Sequence, residues 1–322
     1  MLLGFDIGGT KCTVVIGKKN NREELEIIDK IILPTNKPVF EMIESLFVAA
    51  EKMLETHALS TVSIEGIGIC CGGPLNSNSG VILSPPNLPG WDAIPIVDMA
   101  EKRFGKKPIL QNDANACAIA EWKYGACKGF NNIIFLTFGT GMGAGLILSG
   151  KLYSGTSDLA GEVGHIRLSD SGPLGFGKEG SFEGFCSGGG IAQLAKIAAR
   201  EKLMRNEPVS YCISIDELKS ITAKSVAEAA YDGDETAIEI YKTSGTYLGK
   251  GISMLIDILN PEMIIIGSTY CRAQSLIEPY MNEIIKKEAL TESFNKCKIL
   301  PAALAENIGD IAVLSLADMC SN

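Results

Sequence analysis

Two short glycine-rich segments, each directly after an apolar run, are the first candidates for chemistry. Residues 6–11 read Asp-Ile-Gly-Gly-Thr-Lys and follow the apolar residues 2–5, while residues 139–143 read Gly-Thr-Gly-Met-Gly and follow the apolar residues 133–138. A phosphate group needs several backbone N–H groups that converge on it with no Cβ atom in the way, and neighbouring glycines provide this. One such loop could be a simple hairpin turn. Because the pattern returns 131 residues later, from Gly8 to Gly139, it predicts an internal repeat with two phosphate-binding loops.

Two other nucleotide-binding motifs are excluded by their context. The glycines at 139 and 141 satisfy the loose dinucleotide pattern, but a strand follows them where a helix should begin. Residues 172–178 resemble the start of a P-loop, yet Glu179 stands where a Ser or Thr must bind magnesium. The sequence therefore predicts neither a Rossmann site nor a P-loop.

Acidic residues and one histidine are candidates for acid–base chemistry and for binding hydroxyl groups. Asp113 lies in Asn-Asp-Ala-Asn at a junction between a predicted strand and a predicted helix. It could cap that helix, or it could accept a hydroxyl proton during phosphoryl transfer. Glu162 and His165 are three residues apart in a segment with 16 glycines between residues 139 and 190. So much glycine has a high chain-entropy cost and predicts a binding site there.

The elements that must position these residues alternate between strands and helices. Apolar residues at a helical period over residues 38–57 predict a helix, and residues 62–70 and 107–111 predict strands. A further helix is expected at residues 113–124, and the chain beyond residue 190 is mostly helical with one strand, at 263–266. These later helices are predicted at residues 191–202, 222–231, 234–259, 274–288 and 308–319. The pattern predicts an α/β fold.

Composition limits the function classes. The 322 residues carry a net charge of −9, which argues against nucleic acid or an anionic membrane as a partner. The ten cysteines contain no Cys-x-x-Cys pair, which leaves a zinc site unsupported. Residues 129–150 lack charge but include six glycines, so two buried strands are expected there, not a membrane span. With no secretory signal at the start, we expect a cytoplasmic protein with reduced thiols.

Five motifs together carry a resemblance to a known family. They occur in order from residue 2 to about 320, at residues 6–11, 87–91 (Asn-Leu-Pro-Gly-Trp), 112–115, 139–143 and 161–165 (Gly-Glu-Val-Gly-His). In this the sequence resembles the ROK family of sugar kinases and sugar-sensing repressors. The resemblance implies an α/β fold of the two-lobed, actin-like (ribonuclease H-like) ATPase class, with the active site in the cleft between the lobes. Residues 1–120 would form one lobe and residues 121–304 the other, and a C-terminal helix at about 305–322 would pack back on the first.

The resemblance also implies a role for each motif residue. Asp113 would be the general base, and Gly267 would lie beside the adenosine of ATP. Asp6 would position Mg²⁺ near the phosphates. The sugar hydroxyls would be bound by Asn112, Glu162, His165 and Glu183. The ATP phosphates would be held by Gly8, Gly9, Thr10, Lys11, Gly139, Thr140 and Gly141.

Two departures from the family pattern change these expectations. The family's zinc motif, Cys-x-Cys-Gly-x-x-Gly-Cys-x-Glu, aligns with residues 174–183, and its three cysteines are replaced here by Leu174, Phe176 and Ser181. We therefore expect no structural zinc, and we expect apolar packing of Leu174 and Phe176 to order the loop. Residues 267–269 read Gly-Ser-Thr where the family has a run of glycines.

The resulting hypothesis is an ATP- and Mg²⁺-dependent kinase that phosphorylates glucose at the 6-hydroxyl and forms a homodimer or higher homo-oligomer. An N-acetylmannosamine or other N-acetylhexosamine kinase is the alternative, because these sugar-binding residues do not distinguish an acetamido group from a hydroxyl. A non-catalytic sugar sensor is a third possibility. A repressor would need a helix-turn-helix ahead of the first glycine loop, which begins here five residues after Met1.

Overall fold

The computed structural model describes residues 1–320. The strands in chain order are β1 (Leu2–Ile7), β2 (Lys11–Lys19), β3 (Leu25–Pro34), β4 (Gly66–Cys71), β5 (Leu75–Asn76), β6 (Val81–Ile82), β7 (Ile109–Gln111), β8 (Ile133–Phe138), β9 (Met142–Leu148), β10 (Lys151–Leu152), β11 (Leu174–Gly175), β12 (Lys178–Glu179), β13 (Met263–Ile266) and β14 (Lys298–Pro301). The helices are α1 (Val39–Thr56), α2 (Ile96–Phe104), α3 (Asp113–Tyr124), α4 (Phe182–Phe185), α5 (Gly188–Met204), α6 (Ala223–Tyr231), α7 (Glu235–Leu259), α8 (Thr269–Glu288), α9 (Thr291–Phe294) and α10 (Ile308–Cys320).

Contacts within the chain divide it into two compact units. Of the described residues, unit 1 contains Met1–Phe130, Gly145–Ala160 and residues 303–320, and unit 2 contains Asn131–Ala144 and Gly161–Ala302. The division of the chain into two lobes with a boundary at residue 120 stays a prediction.

Unit 1 is built on a mixed sheet with the strand order β3-β2-β1-β4-β7. Strands β1, β2 and β3 are antiparallel neighbours, whereas β4 and β7 run parallel to β1. One face of the sheet packs on α1 through a cluster of buried apolar side chains. Within that cluster Phe5, Phe47 and Phe104 lie with their ring centroids 5.3–5.8 Å apart, a separation at which aromatic pairs attract.

Helix α10 packs very closely on the other face of the unit 1 sheet. A Cβ atom added at Gly68 would overlap with the carbonyl oxygen of Val313, and one added at Gly66 would overlap with that of Ala317. Glycine is therefore needed in β4 wherever the helix backbone approaches. This packing places the first turn of α10 next to the carboxyl end of β1.

Unit 2 contains three parallel strands with β13 in the middle. Strand β13 pairs with β8 on one side and with β14 on the other, and the other neighbour of β8 is β9. The long helices α7 and α8 pack together where Gly245 faces Ile277, since a Cβ atom at Gly245 would lie 2.6 Å from the Ile277 carbonyl oxygen. No helix within residues 1–320 is long and apolar enough to cross a membrane.

The predicted elements mostly form, with differences at their ends. The helix at 113–124 and the strands at 133–138 and 263–266 have the predicted bounds. The strand predicted at 62–70 was wrong in its first residues, because Thr61–Ser63 form a 3-10 turn and β4 begins only at Gly66. The helix predicted at 191 begins at Gly188, where the side chain of Ser187 accepts the Gly190 N–H. Helix α8 begins at Thr269, five residues early, and is kinked at Ala273.

Candidate active site

The first glycine loop connects β1 to β2 in unit 1. The N–H of Gly8 donates to the carbonyl oxygen of Lys11 (3.1 Å), and the Thr35 hydroxyl donates to the carbonyl oxygen of Gly8 (2.7 Å). A Cβ atom at Gly9 would overlap with the carbonyl oxygen of Asn87, so no larger residue fits there. The loop thus presents backbone groups and an exposed Lys11 side chain, an arrangement suited to phosphate.

Two carboxyl groups of unit 1 with raised pKa values lie beside this loop. The pKa of Asp6 is raised from 3.8 to about 6, mainly by burial and also by the charges of Asp113 and Asp310, while Lys11 opposes these effects. Although Asp113 has an exposed side chain, the surrounding protein desolvates its carboxyl and raises its pKa. Its hydrogen bond from the Ala114 N–H (2.8 Å) works in the opposite direction. A carboxylate with a raised pKa is suited to accept a proton.

Asn112, not Asp113, is the N-cap of α3. The Asn112 side chain accepts the N–H of Asn115 at 2.8 Å, and the Asn115 side chain donates to that of Gln111 at 3.1 Å. Asn112 and Asn115 are buried. The capping role that the sequence left open for Asp113 is therefore taken by its neighbour, and the Asp113 carboxyl is available for other chemistry.

Two thiols lie next to the two carboxyl groups. Cys70 is the register partner of Asp6 across β1 and β4, and Cys117 lies one turn after Asp113 on α3. Burial raises the pKa values of both thiols well above their ordinary value. Neutral thiols contribute little solvation to a carboxylate, which fits the raised pKa of Asp6.

The second glycine loop connects β8 to β9 in unit 2 and meets the start of α5. The N–H of Gly139 donates to the Gly141 carbonyl oxygen (3.1 Å), and the Gly188 N–H donates to the Gly139 carbonyl oxygen (2.7 Å). A Glu183 carboxyl oxygen accepts the N–H of Met142 at 3.0 Å. The structure therefore brings Glu183 to this loop, a contact that the sequence did not reveal.

Gly267 directly follows β13, in the segment that approaches the same loop. Its N–H donates to the carbonyl oxygen of Leu136 at 3.0 Å. A Cβ atom at Gly139 would lie 3.8 Å from the Ser268 hydroxyl, and one at Gly188 would lie 3.5 Å from the Thr269 hydroxyl. Residues 267–269 thus line the second loop although they lack the family's run of glycines.

Glu162 and His165 lie on a short turn next to Glu183. Val163–His165 form a 3-10 turn, and the side chains of Glu162 and His165 are exposed. A Cβ atom at Gly164 would overlap with the Met142 carbonyl oxygen and would lie 3.2 Å from the Glu183 Cβ atom. Two carboxylates and an imidazole near one another could bind the hydroxyl groups of a sugar.

The expected apolar packing of Leu174 and Phe176 was wrong. Their side chains are 55% and 73% exposed, because the chain forms the two-stranded hairpin β11–β12 with Phe176 at its tip. Hydrogen bonds order the segment instead: the Leu174 N–H donates to Gln193 (2.7 Å), and the Ser181 side chain accepts the Gly184 N–H (3.1 Å) as the cap of α4. Within residues 1–320 no group of three or more His, Cys, Asp or Glu side chains is arranged to hold a metal ion.

Each unit thus contains some of the predicted site residues, and the site residues of one unit lie near one another. Unit 1 contains Asp6, Gly8, Gly9, Thr10, Lys11, Asn112 and Asp113, and unit 2 contains Gly139, Thr140, Gly141, Glu162, His165, Glu183 and Gly267.

Known proteins resemble this chain over its whole length. The family model described as "ROK family" matches residues 2–319. A glucokinase of Halalkalibacterium halodurans is 32% identical over 86% of this chain and 83% of its own length, and a xylose repressor of Caldicellulosiruptor bescii is 29% identical over 99% and 79%. Among solved structures, a ROK family glucokinase from Streptomyces griseus in complex with glucose and AMPPNP has a TM-score of 0.78 at 26% identity, covering 99% of this chain and 98% of that one. These likenesses confirm the predicted α/β fold of the actin-like ATPase class.

Proposed function

Since the chain belongs to the ROK family and is an ATP-dependent sugar kinase, we propose that it phosphorylates glucose at the 6-hydroxyl with Asp113 as the general base. One observation carries this proposal. Asn112 caps α3, which leaves the Asp113 carboxyl at the first helical position with a raised pKa. The choice of glucose is supported by the glucokinases among the relatives.

Asp113 accepts the proton of the sugar hydroxyl as its oxygen attacks the γ-phosphate. A base works best when its pKa lies near the working pH, and desolvation moves the pKa of Asp113 in that direction. The Asn112 side chain uses its oxygen to cap the helix, so its amide group can donate to a sugar hydroxyl. One helix terminus would in this way position the sugar and its base together.

The two glycine loops hold the phosphates of ATP. Backbone N–H groups of Gly9, Thr10, Thr140 and Gly141 supply donors, and Lys11 supplies a positive charge. Gly8 and Gly139 close the two loops through their own N–H groups. Magnesium neutralises phosphate charge when it is bound, and the Asp6 carboxyl fits a role in positioning it through water because carboxylate oxygens are ligands of choice for hard cations. Gly267 precedes Ser268, which approaches the second loop, and the adenosine would lie beside Gly267.

Glu162, His165 and Glu183 bind the sugar ring. Carboxylates accept hydrogen bonds from hydroxyl groups, while an imidazole can donate or accept. The Glu183 oxygen that faces Met142 also ties this sugar site to the second phosphate loop. Sugar and nucleotide would therefore be positioned by neighbouring residues of one loop system.

ADP release measured with ATP and Mg²⁺ over glucose, mannose, fructose, N-acetylglucosamine and N-acetylmannosamine tests the proposal. We expect the highest kcat/KM for glucose. Asp113→Asn should reduce turnover by about 10²–10⁴-fold, the usual contribution of a general base, whereas Asp98→Asn, which changes an exposed carboxylate on α2, should not. Equal turnover by the Asp113→Asn variant would exclude the base, and a higher kcat/KM for an N-acetylhexosamine would exclude glucose as the preferred substrate.

A further inference from the structure

We propose that Phe176 is a positioning residue that fixes the imidazole of His165 for sugar binding. Phe176 stands at a position where the family's zinc motif has a cysteine. This inference rests on the proposed role of His165 in binding the sugar.

The first supporting observation is the contact between the two rings. The ring centroids of His165 and Phe176 are 6.3 Å apart and the ring planes meet at 73°, which is an edge-to-face arrangement. Aromatic rings attract in this geometry at centroid distances of about 4.5–7 Å. The contact joins the hairpin tip to the turn that carries His165.

The second observation is that Phe176 occupies a backbone position that disfavours it. Leu174 pairs with Glu179 and Gly175 with Lys178, so Phe176 and Gly177 are the two turn residues, with φ of 44° and 74°. Turns that need positive φ at both positions favour Asn and Gly, and a bulky residue is rare there. Since the Phe176 side chain is also 73% exposed, neither turn formation nor burial in a core accounts for a phenylalanine at this position.

The same hairpin also holds the backbone of His165. The Lys178 ammonium group donates to the His165 carbonyl oxygen at 2.7 Å. The hairpin is anchored in turn by Arg167, whose guanidinium donates to the Glu179 carbonyl oxygen at 2.7 Å. His165 is thus fixed at its main chain by Lys178 and at its ring by Phe176.

A fixed imidazole loses less side-chain entropy when the sugar binds. Removal of the Phe176 ring should therefore raise the KM for the sugar and leave kcat nearly unchanged, because Asp113 lies on a different element and keeps its surroundings. A contact of this kind predicts an increase in KM of about 3–10-fold, within the range of one exposed aromatic pair.

Phe176→Asn gives a test in which stability and sugar binding respond differently. Asn fits the turn better than Phe, so the thermal midpoint should stay the same or rise while the KM for glucose increases. Phe176→Gly, which also fits the turn, is measured in parallel. Phe176→Tyr should have the wild-type KM for glucose because tyrosine keeps the ring edge. Leu174→Asn is the matched control, since Leu174 is exposed on the same hairpin but bonds through its main chain to Gln193.

The chain has two histidines, which makes a spectroscopic test direct. NMR resonances of the imidazole rings can be assigned with His57→Gln, and the ring protons of His165 should shift in Phe176→Asn without any sugar present. This readout separates the inference from the proposed function, because it does not depend on turnover. If no sugar is phosphorylated, the proposed function fails and the His165 shift still reports the ring contact.

Two results would overturn the inference. Unchanged KM and unchanged His165 resonances in Phe176→Asn would show that the ring contact has no effect. A raised KM with unchanged resonances in the sugar-free protein would show that Phe176 touches the sugar itself and does not position His165.

Discussion

Removal of the Asp6 charge should make the protein more stable and inactive. The carboxyl lies at the end of β1, and burial together with the charges of Asp113 and Asp310 raises its pKa from 3.8 to about 6. A raised carboxyl pKa means that the folded state binds the proton more tightly than the unfolded state. Above pH 6 the ionised Asp6 therefore destabilises the fold, and the destabilisation disappears as the pH falls below 4. Asp6→Asn should relieve it at neutral pH.

The size of the effect follows from the shift. A difference of about 2 pKa units corresponds to about 3 kcal/mol at 1.36 kcal/mol per unit. Asp6 is partly exposed, and water near the carboxyl reduces the effect, so a gain of about 1–3 kcal/mol is expected. For a unit of this size each kcal/mol raises the thermal midpoint by roughly 2–4 °C.

Thermal unfolding of the nucleotide-free protein at pH 7.5 and pH 4.5 tests this reasoning. The gain of Asp6→Asn at pH 4.5 should fall to about one third of its value at pH 7.5, because the folded carboxyl is then protonated. Asp29→Asn is the control, since a hydrogen bond from His57 lowers the pKa of Asp29 and its charge does not destabilise the fold. A variant less stable than the wild type at pH 7.5, or a gain that is the same at both pH values, would refute the argument.

Three further predictions concern single positions. Gly9→Ala forces a Cβ atom onto the Asn87 carbonyl oxygen, so the KM for ATP should rise at least about tenfold in steady-state kinetics, and an unchanged KM would exclude a rigid loop. The base must be ionised, and desolvation raises the pKa of Asp113. As the pH is lowered, kcat/KM should therefore begin to fall at a pH above 3.8, and this decrease should be absent in Asp113→Asn. Gly251→Ala drives a methyl group into the Phe182 ring and should destabilise the protein by about 1–3 kcal/mol in denaturant unfolding, with activity per folded molecule retained.

Local patterns in the sequence predicted the elements and loops that depend on local chemistry. The strand at 133–138 follows from a nearly continuous apolar run, and the helix at 113–124 follows from a possible capping residue after a strand. The two glycine loops follow from the need for close approach to a ligand. The residues for the sugar came from the family resemblance, and their roles, like the expected homo-oligomer, stay predictions.

Contacts between distant segments could not be predicted in the same way. The sequence offered Asp113 as a possible cap of α3, and only the backbone geometry shows that Asn112 is the N-cap. Leu174 and Phe176 are apolar and were expected to pack, but a two-residue turn directs that segment into solvent. Hydrophobicity predicts a tendency to be buried, whereas burial also requires a neighbouring surface.

The packing of α10 connects the core of unit 1 to its chemistry. Gly68 lets the helix backbone approach β4 so closely that an added Cβ atom would overlap with the Val313 carbonyl oxygen. The first turn of the same helix carries Asp310, whose charge raises the pKa of Asp6, and Lys30 binds the Asp310 carboxylate at 2.8 Å. Since charge interactions weaken with distance, a side chain at position 68 that displaced α10 would lower the pKa of Asp6 as well as the stability. The glycines in β4 therefore help to set the electrostatics of the candidate site, although they touch no ligand themselves.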